Sequence, residues 1–280
     1  MSSLFPSGPQ LPDFKSLVVE GSYHPSAPIY LALSHAANSP DTRTIMITPS
    51  RQAMALSLQN YNDDWISMHS GEGNVVDLSS CITVFYPPSP AHFSFLISML
   101  SIDEQSASFN PTTTLDRPAS LVILHELSAY FWPDVQENPN GHSWTLSSYL
   151  TLVVRTLASF AALSSVERTS TDIALVLFDS QLDHLKLPVL KHPTAASYKP
   201  PSKLENVAFF VQKYFELLAI FEEDEMFLNS SQEDENEGLD RQQRKRMQIF
   251  SHTQTEAVET CRWVEQANPG SGGVVFVWDG

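Results

Sequence analysis

The chain has 280 residues, which is enough for one large α/β domain with a sizeable core. Its formal net charge of −16 argues against a protein that binds nucleic-acid phosphates unaided. No apolar run is predicted to approach the roughly 18 residues of a membrane span, and no basic residue precedes Lys15 as a signal or transit peptide would require. We therefore expect no membrane association, and a nuclear or cytosolic location.

The first predicted element is a short buried strand over residues 16–20, followed by Gly21 and then by a helix over residues 29–37. Strand, glycine turn and helix form the frame of a phosphate-binding loop. That loop needs a second glycine, a lysine for the phosphates and a hydroxyl for Mg²⁺, and this chain has Ser26, Ala27 and Pro28 instead. The frame of a nucleotide site is thus predicted without its chemistry.

Strand-like and helix-like runs then alternate along the chain. The next predicted strands span residues 42–48, 81–86, 119–124, 172–178 and 215–221. The predicted helices span residues 49–60, 89–100, 145–163 and 204–214. Polar or proline-rich loops are predicted at residues 61–80, 101–117, 129–143 and 182–202. This alternation indicates a mostly parallel sheet that is covered by helices on both faces.

The C-terminal part of the chain has a different pattern. Residues 222–240 hold nine acidic and no basic residues, and we predict a disordered insertion there. Short strands at residues 246–252, 257–265 and 274–278 predict an antiparallel extension of the main sheet. We expect a flexible segment at residues 1–14 and a single domain over residues 15–280.

The apolar strand at residues 119–124 ends in His125 and Glu126. In ATPases of this architecture the corresponding strand ends in an aspartate that holds Mg²⁺. A neutral imidazole is a poor ligand for Mg²⁺, which prefers oxygen. We interpret both residues as a vestigial Mg²⁺ site. Nucleotide binding without hydrolysis, and residual hydrolysis, remain alternatives.

Two groups of residues are candidates for contact with DNA. The first is the basic cluster Arg241, Arg244, Lys245 and Arg246, for which a solvated loop is the alternative. The second is Phe131 and Trp132, whose rings would stack on bases if exposed, with ordinary packing as the alternative. The two cysteines, Cys81 and Cys261, lie outside any metal-binding motif, and we predict two buried free thiols and no zinc or other metal site.

Several segments in this order resemble a RecA-like recombinase paralogue, and most of all the RecA-like partner of the SWIM zinc-finger protein in the Shu complex. They are the degenerate phosphate loop, Ile45–Thr48 followed by Arg51, Phe85-Tyr86-Pro87-Pro88-Ser89, and the strand Leu121–Tyr130. The resemblance implies a RecA-like P-loop NTPase core with no cofactor and no catalysis. It also implies a nuclear recombination mediator that pairs with a SWIM protein and promotes recombinase filaments on single-stranded DNA.

Two other functions stay open. Elongator contains RecA-like subunits that lack phosphate-loop residues and act in tRNA modification, which would imply a ring of homologous partners. The second alternative is an ATPase with an atypical site.

Overall fold

The computed structural model describes residues 2–102, 113–132, 144–166, 173–189, 203–224, 244–251 and 256–278. Within these ranges the chain forms thirteen strands. They are β1 Ser16–Gly21, β2 Arg43–Ile47, β3 Ile82–Phe85, β4 Ser101–Ile102, β5 Thr114–Leu115, β6 Ala119–His125, β7 Ala174–Asp179, β8 Lys186–Pro188, β9 Leu204–Asn206, β10 Leu217–Glu223, β11 Arg244–Ser251, β12 Ala257–Ala267 and β13 Val274–Trp278.

Nine of these strands form one sheet, in the order β13-β12-β11-β10-β1-β7-β6-β2-β3. The six strands from β10 to β3 are parallel to one another, while β11 pairs antiparallel with β10, and β12 and β13 continue the antiparallel pairing. The central strands are buried on both faces, as continuous apolar runs such as that of β6 require. The predicted architecture, a mostly parallel sheet flanked by helices with antiparallel C-terminal strands, is confirmed.

Helices cover both faces of the sheet. They are α1 Ala27–Asn38, α2 Arg51–Tyr61, α3 Asp64–His69, α4 Gly73–Ser80, α5 Pro90–Met99, α6 Leu146–Val166 and α7 Val207–Val211, with 3₁₀ turns at Leu127–Tyr130 and Gln212–Tyr214. On one face Phe93, Tyr149 and Val211 pack in the core beneath α5, α6 and α7. On the other face α1 contributes Ala27 and Leu31 to a second core cluster.

The N-terminal segment, predicted to be flexible, packs against this second cluster. Leu4, Phe5 and Leu11 are buried, and the Phe5 ring lies 4.9 Å from Trp263 and 4.8 Å from Trp278 between centroids. The prediction of flexibility rested on the Ser/Pro content of the segment. Its three large apolar side chains bury apolar surface against the second cluster, and this burial stabilises an ordered conformation despite that composition.

Two predicted elements differ in the structure. The polar segment 61–80 contains α3 and α4, and the carboxylate of Asp63 caps α3 by accepting a hydrogen bond from the Ile66 amide. The segment 204–214 is not one helix but strand β9, helix α7 and a 3₁₀ turn. The two cysteines are free but partly exposed rather than buried.

Helix α6 is more apolar than the sequence analysis expected. Its window Leu146–Leu163 is long and apolar enough to cross a membrane by length and composition, although one third of that window is buried inside the protein. Tyr149, Val153 and Phe160 on the buried face pack in the core.

Gly21 ends β1 in a conformation that side chains rarely adopt. Its φ is +83°, and a Cβ at this position would lie 2.1 Å from the carbonyl oxygen of Phe221 on the neighbouring strand. The glycine therefore lets β1 and β10 pair closely while the chain turns out of the sheet.

We expect Gly21→Ala to lower the free energy of unfolding by about 2 kcal/mol or more. The added Cβ would clash with the backbone of Phe221, and alanine would be forced into a strained left-handed conformation. Chemical denaturation followed by circular dichroism measures this loss.

Gly71→Ala is the matched control, since a Cβ there meets no atom within 4 Å. It should change the free energy of unfolding by less than about 0.5 kcal/mol. Equal effects of the two substitutions would contradict the role assigned to Gly21.

Candidate functional site

A cleft of about 340 Å³ lies at the carboxyl ends of β1, β2, β6 and β7. Its polar lining includes Tyr23 after β1, Thr48 after β2, Glu126 after β6 and Ser180 after β7. Carboxyl ends of parallel strands are where open α/β folds bind ligands. The positions predicted as a vestigial phosphate loop and Mg²⁺ site thus meet at one edge of the sheet.

The loop between β1 and α1 has few donors for a phosphate. Pro25 and Pro28 have no N–H, and the amides of Tyr23 and Ala27 are bonded within the loop, to the carbonyls of Gly21 and His24. The Ile29 amide, in the first turn of α1, bonds to the carbonyl of Ser26. A phosphate loop works by pointing such amides at its ligand. This loop turns them inward.

The side chains of the loop are equally unsuited to bind phosphate. Ser26, Ala27 and Pro28 are buried, and the hydroxyl of Ser26 has no hydrogen-bond partner among the described residues. No lysine or arginine lines the described part of the cleft.

Glu126 occupies the centre of the cleft. The Tyr23 hydroxyl donates a hydrogen bond to its Oε1 atom, and the backbone N–H of Ser180 donates to the same atom at 3.2 Å. Glu126 adopts φ +53° and ψ +48°, a left-handed conformation that is uncommon for a residue other than glycine. One carboxylate thus joins the ends of three strands.

His125 lies beside it and packs against Thr48. Its Nδ1 atom is 3.0 Å from the Thr48 hydroxyl oxygen, and burial lowers the pKa of the imidazole while the charge of Glu126 opposes that shift. The ring is therefore neutral at pH 7. A neutral imidazole and a carboxylate accept hydrogen bonds, whereas a nucleotide phosphate needs donors.

A second carboxyl group lies behind Glu126. Asp179 is buried and accepts hydrogen bonds from the Ser128 amide at 2.9 Å, the Ser128 hydroxyl at 2.6 Å and the Tyr149 hydroxyl at 2.7 Å. Burial, with the charge of Glu126, raises the pKa of Asp179. Within the described ranges no group of three or more His, Cys, Asp and Glu residues is arranged to hold a metal ion.

The predicted basic cluster is not a free surface. Lys245 makes an ion pair with Glu265 at 3.0 Å, and Arg246 makes one with Glu222 at 2.7 Å. These carboxylates lie on the flanking strands β12 and β10, so the sheet itself neutralises both cations. Arg244 begins β11, and Arg241 lies outside the described residues.

The predicted aromatic pair is also placed differently from expectation. The Phe131 ring is fully buried, with Tyr149 at 5.3 Å and Trp144 at 5.9 Å between centroids, so the interpretation of Phe131 as an exposed stacking residue is wrong. Trp132 is half-buried against the same core. The alternative of ordinary packing holds for Phe131.

A basic and aromatic surface that the sequence analysis missed lies elsewhere. We call Lys186, Phe209, Lys213 and Tyr214 the ribbon–helix surface. Lys186 pairs with Asn206 at the end of the β8–β9 ribbon, immediately before α7. Phe209 and Tyr214 are 60% and 46% exposed, and the Lys213 Nζ atom lies 4.0 Å from the centroid of the Phe209 ring. The i, i+4 spacing of Phe209 and Lys213 in a predicted helix was the available signal.

No protein-family model and no curated protein matches this sequence. Among solved structures, the crystal structure of the RadB recombinase is similar, with 10% sequence identity, a TM-score of 0.42, and coverage of 92% of this chain and 89% of that chain. A likeness at that level carries no argument about function.

His24, in the loop after β1, is the most deeply buried histidine near the cleft. Its ring centroid lies 4.7 Å from those of Phe5 and Phe276. Burial, followed by the charge of Lys245, lowers the pKa of His24 to about 3, against a small opposing contact with the backbone of Leu4.

The pKa of His24 in the folded state lies below its unfolded value near 6.5. As the pH falls, the unfolded chain therefore binds a proton at His24 before the folded chain does, and the free energy of unfolding decreases below about pH 6.5. In His24→Phe this loss disappears. Between pH 6.5 and pH 5 the unfolding free energy of the variant should gain about 2 kcal/mol relative to the natural chain, at about 1.4 kcal/mol per pH unit. Chemical denaturation at both pH values measures the double difference.

His184→Gln, at an exposed histidine, serves as the control and should leave the pH dependence unchanged. A pH profile of His24→Phe parallel to that of the natural chain would refute the assignment.

Proposed function

We propose that this chain is a non-catalytic RecA-like subunit of a recombination mediator of the Shu type. The observation that carries the first half of this proposal is the Tyr23–Glu126 hydrogen bond in the cleft. It sets a phenol and a carboxylate where a RecA-like ATPase would bind phosphates with amides, a lysine and Mg²⁺. A fold that retains this frame without donors or cations serves as a scaffold.

The mediator role rests on the order of motifs in the sequence, from the degenerate phosphate loop to the strand that ends at His125. On this proposal the chain acts in the nucleus and pairs with a SWIM zinc-finger protein. The pair then assists a recombinase or its paralogues on single-stranded DNA. The net charge of −16 supports a subunit that contacts DNA only over a limited patch and as part of a complex.

The ribbon–helix surface is the patch that fits this role best. Single-stranded nucleic acid binds to surfaces of exposed aromatic rings with adjacent lysines, because bases stack on the rings and phosphates are attracted to the lysines. In contrast, Lys245 and Arg246 are already neutralised by their neighbours.

We expect ATP with Mg²⁺ to leave the melting temperature unchanged at millimolar concentration. A ligand present at 100 times its dissociation constant would stabilise the folded chain by about 2.7 kcal/mol, a shift that differential scanning fluorimetry detects easily. Mg²⁺ alone is the control. A saturable increase with ATP and Mg²⁺, but not with Mg²⁺ alone, would show that the cleft binds nucleotide and would overturn the proposed loss of the phosphate site.

The mediator role is tested by purifying the chain with its native partner and identifying that partner by mass spectrometry. We expect a SWIM zinc-finger protein. Within that complex, Phe209→Ala should weaken binding to a single-stranded oligonucleotide by about 1–3 kcal/mol, or roughly 5- to 150-fold, because one base loses its stacking platform. Fluorescence anisotropy at fixed salt measures the change.

Phe95→Ala is the matched control, since Phe95 is an equally exposed phenylalanine, on α5, and should leave DNA affinity unchanged. The double reversal Lys245→Glu and Arg246→Glu tests the alternative surface. If that reversal lowers the affinity for DNA more than Phe209→Ala does, the DNA contact is assigned to β11 instead. Copurification of Elongator subunits would instead favour the tRNA-modification role.

A further inference from the structure

The cleft at the carboxyl ends of the strands contains a charge without a counter-ion. Glu126 is half-buried, and its two hydrogen-bond donors, the Tyr23 hydroxyl and the Ser180 amide, are both neutral. Within the described part of the chain no lysine or arginine makes an ion pair with it. An opposite charge within about 4–6 Å favours the charged form of a carboxylate, so Glu126 and a cation in this cleft would attract each other.

A second group in the cleft also accepts hydrogen bonds. His125 is nine-tenths buried and lines the cleft, and only its Nδ1 atom has a partner, Thr48, among the described residues. In the tautomer in which Nδ1 donates its hydrogen to the Thr48 hydroxyl, Nε2 is an acceptor without a donor. In that tautomer the carboxylate and the imidazole present two acceptors to the same space.

The remaining wall is mostly apolar. Pro25, Pro49 and Met54 line it, and the volume of about 340 Å³ is at the small end of the roughly 300–1,000 Å³ that ligand pockets occupy. An alkyl chain fits against such a wall while its charged end reaches the acceptors. Several fixed donors on a planar cation suit two separate acceptors better than a compact ammonium does.

We propose that this cleft binds an alkyl guanidinium group, supplied by an arginine side chain of a partner protein. The inference rests on the proposed function, since it requires that no nucleotide occupies the cleft. It reverses the polarity of the site, because a carboxylate and an imidazole recognise a cation where a phosphate loop would recognise an anion.

The probe is butylguanidinium, titrated into the full chain and followed by the amide chemical shifts of residues lining the cleft. We expect saturable shifts around Thr48, Glu126 and Ser180. Butylurea, which is neutral and of nearly the same shape, should bind at least tenfold more weakly. Glu126→Gln should also weaken butylguanidinium at least tenfold, because it retains an acceptor for Tyr23 but removes the charge.

Glu256→Gln is the matched control, since it removes one exposed carboxylate that does not line the cleft. It should leave the affinity unchanged. If Glu126→Gln fails to fold, Ser57→Lys on the exposed side of α2 places a competing cation at the cleft wall and should give the same loss. Equal binding of butylguanidinium and butylurea, or full affinity in the Glu126→Gln or Ser57→Lys variant, would overturn the proposal.

The source of the guanidinium is tested in the purified complex. A tenfold faster dissociation of the partner from Glu126→Gln than from Glu256→Gln supports an arginine of the partner. If dissociation is unchanged and the cleft still binds butylguanidinium, the proposal of a partner arginine is overturned. The site is then assigned to a free guanidinium compound.

Failure of the proposed function gives a different result. Displacement of butylguanidinium by ATP and Mg²⁺ would overturn both proposals together. Absence of binding by either ligand would overturn this inference and leave the non-catalytic role intact.

Discussion

The carboxylate of Glu126 is the group on which the geometry of the cleft depends. It follows β6, accepts a hydrogen bond from Tyr23 after β1, and accepts a second from the Ser180 amide after β7. Its left-handed backbone is strained by about 1–2 kcal/mol, a cost that these two bonds offset. The Tyr23 ring, held in this way, packs 5.3 Å from the Phe178 ring, between centroids, and closes the space beside the loop. The hydrogen bonds of Glu126 thus fix the ends of β1, β6 and β7 relative to one another.

Much of this fold was predictable from the sequence because its signals are local. The buried strands β1, β6 and β7 are continuous apolar runs, which only a sheet covered on both faces accommodates. Ser89 caps the helix that follows it by accepting an amide hydrogen bond, as its position before a helical pattern indicated, and Ser50 does the same for α2. The missing lysine and hydroxyl of the phosphate loop were equally plain, since a motif is defined by residue identity and spacing.

The remaining features depend on which elements become neighbours. Lys245 and Arg246 resemble a free basic cluster until the register of β10, β11 and β12 sets Glu222 and Glu265 beside them. Phe131 follows a strand end, where an exposed ring was expected, but the chain turns it under α6. The bond between Tyr23 and Glu126 joins residues 103 positions apart and has no sequence signal. Pairings of this kind are set by topology, which local patterns do not contain.

The cleft and the ribbon–helix surface are connected through strand β1. Gly21, at the end of the strand, starts the loop that carries Tyr23 into the cleft. The preceding residue, Glu20, accepts hydrogen bonds at 3.0 Å from the side chain of Gln212, which immediately precedes Lys213. Burial raises the pKa of Glu20 to about 7, so this link contains a carboxyl group that is poised between its charged and neutral forms near physiological pH. Because both surfaces are anchored to one central strand, a partner at the cleft and a strand of DNA at the ribbon–helix surface would be held in a defined relative position. In the proposed scaffold role, this fixed arrangement would be maintained without turnover of nucleotide.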